Sequence, residues 1–342
     1  MKHAKNILVT GGAGYIGSHT VVELIERGYN PIIADDFRNS DPRAIEGIQA
    51  ITGKYPELKK IDVTDIEQLR SVFEQYEFSG VIHFAAYKAV GESVEKPLFY
   101  YKNNVGGLLN CIELAEEFDV PNFVFSSSCT IYGDPKDSVV VTEDSPLQEA
   151  NSPYGATKQM CERIIDDVHK SGSQLRLLNL RYFNPVGAHS SSEIGELPLG
   201  KPNNLLPFVT QTGAGVLGEL TVFGNDYNTP DGTCIRDYIH VVDLAIAHIK
   251  GFEWLDQLEE PQLETVNVGT GKGVSVLEVI DTFENISKQK LKWKFGERRA
   301  GDVEQIYANV TKAKDLLGWK AIKSIEDAVR DAWNWELKMR NE

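Results

Sequence analysis

The stretch Asn6-Ile7-Leu8-Val9-Thr10-Gly11-Gly12-Ala13-Gly14-Tyr15-Ile16-Gly17 decides the fold. It joins a short apolar run to a glycine-rich turn that satisfies both G-x-G-x-x-G and G-x-x-G-x-x-G, placed where a helix opens. Glycine permits a tight turn and a close approach of backbone to a ligand, and unpaired N–H groups at a helix N-terminus favour a pyrophosphate. A lone match of this kind is as often a structural turn as a ligand site. Asp35 shifts the balance, because it closes the next apolar run, where a carboxylate accepts hydrogen bonds from the hydroxyls of an adenosine ribose. The same carboxylate repels a 2′-phosphate, so NAD is expected rather than NADP, with Arg38 the nearby cation that argues the other way. Otherwise Asp35 only begins a loop.

Working outward, short apolar runs at 7–9, 31–34, 59–63, 80–85, 122–126 and 175–182 read as strands, with segments of helical period between them. Strands separated by crossover helices pair in parallel, and nearly continuous apolar strands imply a sheet covered on both faces. The expectation is an α/β protein built on a doubly wound parallel sheet. Past Gly187 the chain becomes polar and punctuated by glycine and proline, then shows a helix from Asn204 and a strand at 220–223. Helical periodicity at 240–254 and a strand at 265–268 suggest a return to the first lobe. Residues 1–187 are therefore expected to form the nucleotide-binding domain, rejoined by about 236–270, with 188–342 a smaller α/β lobe.

At 342 residues and 42% hydrophobic content the chain can bury a large core. A net charge of −15 argues against a nucleic-acid or membrane-surface binder, so an anionic ligand must be met by a few local cations. Cys111, Cys129, Cys161 and Cys234 are scattered, without a metal-binding spacing or a disulfide framework. No metal is expected, and a reducing, cytoplasmic setting fits best. Met1-Lys2-His3-Ala4-Lys5 leads straight into the first apolar run, too soon for a signal peptide, and no run of about 18 apolar residues marks a membrane span.

Tyr-x-x-x-Lys places a phenol and an ammonium one helical turn apart, where the cation can favour tyrosinate. The spacing occurs at Tyr55/Lys59, Tyr132/Lys136 and Tyr154/Lys158, so context has to choose. Pro56 follows Tyr55, and Gly133-Asp134-Pro135 interrupts the second pair, so neither suits a regular helix. Ser152-Pro153 supplies an N-cap and a first-turn proline just ahead of Tyr154. Upstream, the strand at 122–126 delivers Ser126-Ser127-Ser128 to its C-terminal end, where ligands collect in open α/β sheets. Taken separately, these are a polar loop and a surface pair. Behind a dinucleotide turn, they point to redox chemistry.

The chain at this point resembles the extended short-chain dehydrogenase/reductase family, and within it the UDP-galactose 4-epimerases. The resemblance rests on residues 9–20, on His83-Phe84-Ala85-Ala86-Tyr87-Lys88-Ala89-Val90-Gly91-Glu92-Ser93, and on Asn103-Asn104-Val105. Arg181-Tyr182-Phe183-Asn184-Pro185-Val186-Gly187-Ala188, Phe223-Gly224-Asn225-Asp226-Tyr227 and Arg236-Asp237-Tyr238-Ile239-His240 carry it into the second lobe.

The resemblance implies a Rossmann-like NAD-binding fold and interconversion of UDP-galactose and UDP-glucose through a 4-keto sugar. It makes Tyr154 the acid/base, Lys158 its electrostatic partner and Ser128 a donor to the sugar O4. NAD contacts would come from Gly11, Gly14, Tyr15, Ile16, Gly17, Asp35, Asn39, Ser40, Asp62, Val63, Phe84, Ala85, Lys88, Asn103 and Phe183, together with Tyr154 and Lys158. Lys88, Asn184, Asn204, Leu205, Phe223, Arg236, Arg299, Asp302 and Ile306 would join Ser128 and Tyr154 around the UDP-sugar. A homodimer is implied, joined near 97–118 and 152–170. Ala86-Tyr87 replaces the Gly-Leu often found there. Ile306 stands where relatives carry a tyrosine or a small residue, and its size predicts preference for UDP-glucose and UDP-galactose over N-acetylated sugars. A 4,6-dehydratase of the same family would need an acid/base pair after Ser128, where this chain has Cys129-Thr130.

Overall fold

In a computed structural model that describes residues 4–135, 138–299 and 301–341, the opening run forms β1 (Asn6–Thr10). Met1, Lys2, His3 and Lys136 lie outside the described residues. The alternation then continues with α1 (Tyr15–Glu26), β2 (Asn30–Ala34), α2 (Arg43–Thr52), β3 (Glu57–Lys59), α3 (Ile66–Phe73) and β4 (Phe78–His83). After β4 come α4 (Val90–Glu95), α5 (Pro97–Tyr100), a π-helical turn (Tyr101–Val105), α6 (Gly106–Glu117) and β5 (Asn122–Ser128). A 3-10 turn (Cys129–Tyr132), β6 (Val140–Val141), α7 (Pro153–Lys170) and β7 (Arg176–Tyr182) complete the first half.

Among the described residues the central sheet has seven strands, and the seventh comes from far along the chain. Beyond β7 lie β8 (Asn184–Val186), α8 (Leu205–Gly213), β9 (Leu220–Phe223), β10 (Ile235–Arg236), β11 (Tyr238–His240), α9 (Val241–Leu255) and β12 (Leu263–Val268). The sheet runs β12-β7-β5-β4-β1-β2-β3, every pairing parallel. Side-chain alternation along a strand covers both faces. Ile7 and Val9 pack on one side with Val21, Leu24 and Phe252, while Leu8 packs on the other with Leu108, Ile112 and Ile165. Burying both faces of a parallel sheet is what makes its strands apolar throughout.

The strand order turns back at β1, between β2 and β4, so the crevice of the doubly wound sheet opens at the C-terminal ends of these strands. Gly11 sits there with φ +69, and a Cβ on it would come within 2.8 Å of the Ala85 backbone nitrogen. Only glycine allows the two loops to approach so closely.

The strand expected at 59–63 is instead Glu57–Lys59. Asp62 ends it: its carboxylate accepts hydrogen bonds from the Thr64 amide and hydroxyl at 2.9 and 2.7 Å, and Asp65 then caps α3. These side chains offer the backbone a turn in place of the ladder.

The remaining elements are β13 (Val274–Ser275), α10 (Val276–Ser287), β14 (Trp293–Gly296), β15 (Gln305–Ala308), α11 (Thr311–Leu317) and α12 (Ile325–Asn341). Among the described residues they build, with earlier segments, a four-stranded sheet β13-β10-β15-β6 and the pairs β11-β8 and β14-β9. A separate apolar cluster of Leu206, Val209, Leu220, Val222, Phe283 and Trp333 fills this region. Among the described residues, no helix is long and apolar enough to cross a membrane.

Candidate active site

The glycine turn is held by its own neighbours. Gly14 caps α1 in extended conformation without a side-chain hydrogen bond, so the first-turn N–H groups face the crevice. A Cβ on Gly17 would lie 2.2 Å from the Gly11 carbonyl oxygen, which explains the third glycine. Asp35 reaches back across the turn: its carboxylate accepts the Ala13 amide at 3.0 Å, the Phe37 amide at 3.0 Å and the Ser40 hydroxyl at 2.7 Å. Burial raises the Asp35 pKa, and these donors pull it back.

One continuous cavity starts here. Gly11, Gly14, Tyr15, Ile16, Gly17, Asp35, Asn39, Ser40 and Val63 line one end, and Phe84, Ala85, Lys88, Asn103, Tyr154 and Lys158 line the other. Helix α7 carries the last two. Ser152 caps it, its hydroxyl accepting the Gly155 amide at 3.2 Å, with Pro153 in the first turn as expected from local sequence.

The pair Tyr154/Lys158 is buried, Tyr154 at 4% and Lys158 at 3% exposure. The cation does not behave as the spacing suggested. The Lys158 ammonium donates to the Ser126 carbonyl at 2.7 Å and lies 4.6 Å above the Phe125 ring. Burial lowers its pKa to about 8. Burial also raises the Tyr154 phenol, opposed first by the Tyr182 hydroxyl and then by that of Ser128. Taking either charge out of water outweighs the helical-turn proximity from which a lowered tyrosine pKa was expected. Ser126 lines the floor, and buried pairs lie close by: the Thr10 hydroxyl is 2.8 Å from His83 Nδ1 and the Ser126 hydroxyl 3.1 Å from His248 Nε2.

A second cavity is lined by Asn184, Asn204, Leu205, Phe223, Arg236, Arg299 and Asp302, and Lys201, Asn203 and Asn204 border both cavities. Arg299 pairs with Asp302 at 2.6 Å and lies 5.7 Å over the Phe223 ring; Arg236 approaches the same carboxylate at 3.9 Å. Two guanidiniums sharing one carboxylate leave net positive charge in an acidic protein, the setting a diphosphate needs. Asn204 precedes α8 but makes no side-chain cap; its amide donates to Glu196, which also holds Lys88 at 3.2 Å.

Four expected residues stand apart from the cavity walls. Asp62 pairs with Arg38 at 2.5 Å. Ser128 lies beneath the surface at 4% exposure, its oxygen accepting from the Thr130 amide and hydroxyl. Phe183, at 1% exposure, faces inward among Ile131, Tyr132, Val141 and Ala308, and its amide donates to the Val268 carbonyl at 3.0 Å. Ile306 belongs to the same cluster at 5% exposure, so its side chain has no direct contact through which to set the sugar range expected of it. It sits on β15 opposite Arg236, and strand alternation turns it into the cluster.

Sequence reasoning missed Tyr182 and Glu196. Tyr182 lay in a quoted motif beside Phe183, but nothing local decides which of two adjacent aromatics faces the cavity.

The sheet order, the turn and the buried phenol together define a nucleotide-binding α/β protein of the redox type. A family model described as GDP-mannose 4,6 dehydratase matches residues 8–332. UDP-glucose 4-epimerase 2 of Arabidopsis thaliana is 49% identical over 335 residues, 97% of this chain and 95% of its own. UDP-glucose 4-epimerase from Bifidobacterium longum, solved in complex with NAD+ and UDP, is 43% identical with a TM-score of 0.94, covering 98% of this chain and 99% of its own. The enzyme from Stenotrophomonas maltophila, solved with NAD and formylated UDP-arabinopyranose, gives 42% and 0.95, covering 98% and 99%. The chain belongs to the UDP-glucose 4-epimerases of the extended short-chain dehydrogenase/reductase family.

Proposed function

We propose that this protein interconverts UDP-galactose and UDP-glucose through a 4-keto sugar, holding NAD throughout. The observation that carries this reading is the junction of two cavities, one running from Asp35 to Tyr154 and the other presenting Arg236 and Arg299, with Lys201, Asn203 and Asn204 common to both.

The residues present fit NAD. The glycine cradle would be filled by a Cβ at Gly11 or Gly17, the uncapped start of α1 suits a pyrophosphate, and the Asp35 carboxylate suits a ribose without a 2′-phosphate. Gly14, Tyr15 and Ile16 would hold the pyrophosphate; Asn39, Ser40 and Val63 would flank the adenosine; Phe84, Ala85, Lys88, Asn103 and Lys158 would hold the far half. When bound, NAD supplies a hydride acceptor at sugar C4 and then a donor to the opposite face.

The chain's own residues move the proton. Tyr154 as phenolate takes the proton from the 4-OH while the C4 hydride departs, and returns it to O4 when hydride comes back. Ser128, set beneath the cavity wall at 4% exposure, would turn its hydroxyl toward the cavity to donate to O4. Inversion requires the hexose to turn about its diphosphate linkage, so Arg236, Arg299, Asn184, Asn204, Leu205 and Phe223 would clamp the nucleotide while the sugar stays loosely held. Cys129-Thr130 after Ser128 supports epimerisation over dehydration, since neither carries a carboxylate to eliminate water.

In this reading residues 1–187 with about 236–270 form the NAD-binding unit and 188–342 supply the UDP-sugar lobe. Leu98, Leu109 and Met160 are exposed on α5, α6 and α7, which supports a homodimer joined near 97–118 and 152–170. The four free cysteines support a reducing, cytoplasmic setting. The test is incubation of the purified protein with UDP-galactose without added NAD. UDP-glucose is the expected product; no product, or a 4-keto-6-deoxy sugar, would overturn the assignment.

A further inference from the structure

Tyr182 ends β7 at the floor of the NAD cavity, and its hydroxyl oxygen lies 3.5 Å from that of Tyr154. The ring is 8% exposed and packed in the main core cluster with Leu180, Ile239 and Val268, so the phenol cannot swing away. The separation is long for an O–H···O bond, as catalytic hydrogen bonds often are before a ligand is in place. The other polar groups beside Tyr154, Lys158 and Ser128, have competing partners. Lys158 donates to the Ser126 carbonyl. The Ser128 oxygen already accepts two hydrogen bonds, leaving a single proton to donate, and that proton is needed at the sugar O4.

We propose that Tyr182 is a positioning residue for the reaction, its hydroxyl donating a hydrogen bond to the Tyr154 oxygen and stabilising it as phenolate when Ser128 turns to the sugar. The proposal rests on Tyr154 being the acid/base. Tyr182 keeps its own proton throughout; the proton from O4 goes to Tyr154 and back. Burial, Tyr154 and the charge of Glu196 all hold Tyr182 well above the ordinary tyrosine range, so donation is the role open to it.

Tyr182→Phe keeps the ring and deletes the donor. A hydrogen bond to a charged group is worth about 10- to 100-fold, so kcat at neutral pH should fall by that factor and the acid limb of its pH profile should move up by about 1–2 units. NAD content and KM for UDP-galactose should hold. On the resting protein, the tyrosinate absorbance transition assigned to Tyr154 by its loss in Tyr154→Phe should move the same way. Tyr182→His, which restores a ring donor, should recover part of both shifts and stands in if Tyr182→Phe does not fold. Superimposable profiles and titrations, or a lower kcat with an unmoved acid limb, would overturn the proposal. If wild type fails to epimerise UDP-galactose, the functional reading falls, while the resting titration still decides the Tyr182–Tyr154 contact.

Discussion

Arg181 and Glu162 form a buried ion pair directly behind the site, 2.7 Å apart with both side chains 8% exposed. Glu162 is one helical turn beyond Lys158 on α7, and Arg181 precedes Tyr182 on β7. The Ser127 hydroxyl donates to Glu162 at 2.5 Å, and Arg181 donates to the Tyr132 hydroxyl and the Glu143 carbonyl, each at 3.0 Å. The pair therefore ties together the helix and both strands that carry the proposed chemistry.

Removing one partner strands the other charge in the core. Glu162→Gln is expected to cost roughly 3–5 kcal/mol of stability, because an uncompensated buried guanidinium must be accommodated. Denaturant midpoints at constant slope measure it. An effect below about 1 kcal/mol, the range of exposed pairs, would show that the pair is not functionally buried.

Tyr154→Phe should retain the fold and bound NAD while losing nearly all epimerisation, since only the proton-transfer oxygen is removed. Lys158→Met tests a stability linkage as well. Lys158 titrates near 8 in the folded chain against 10.5 in the unfolded one, so the unfolded state binds more protons between those values. Its contribution to stability is therefore complete above 10.5 and lost as pH falls toward about 8. Buried tyrosines titrate in the opposite sense over this range, so the measurement is the difference between wild type and Lys158→Met. A difference that does not change with pH across this window would contradict the buried ammonium.

Acid lability should come chiefly from the imidazoles of His19, His83 and His248, which burial holds neutral. Burial lowers His19 to about 3, His83 to about 3 and His248 to about 4 from 6.5. The unfolded chain takes up protons first as pH falls below 6.5, so stability should decline progressively from there toward 3 to 4. Urea midpoints across that range report it, and His248→Gln should flatten the decline by removing one of the three groups.

Gly17→Ala forces a methyl to 2.2 Å from the Gly11 oxygen. The turn must move, so the purified variant should carry far less NAD, with circular dichroism close to wild type because the remainder of α1 is a good helix. Wild-type cofactor content would show that the turn adapts and that the third glycine is not required.

The sequence by itself determined the features that depend on near neighbours. The glycine turn after β1, Asp35 closing β2, the Ser152-Pro153 start of α7 and the alternation of apolar strands with helices were all legible, because capping, turn geometry and periodicity are local. Tertiary structure decided where side chains point and which distant groups meet them. It turned Phe183 into the core and left Tyr182 facing Tyr154, committed Lys158 to Ser126, paired Glu196 with Lys88 and Asn204, and enclosed Ile306. It also brought Arg236 and Arg299 together around Asp302. These arrangements depend on close packing and desolvation among segments far apart in the chain, which neither residue type nor spacing encodes.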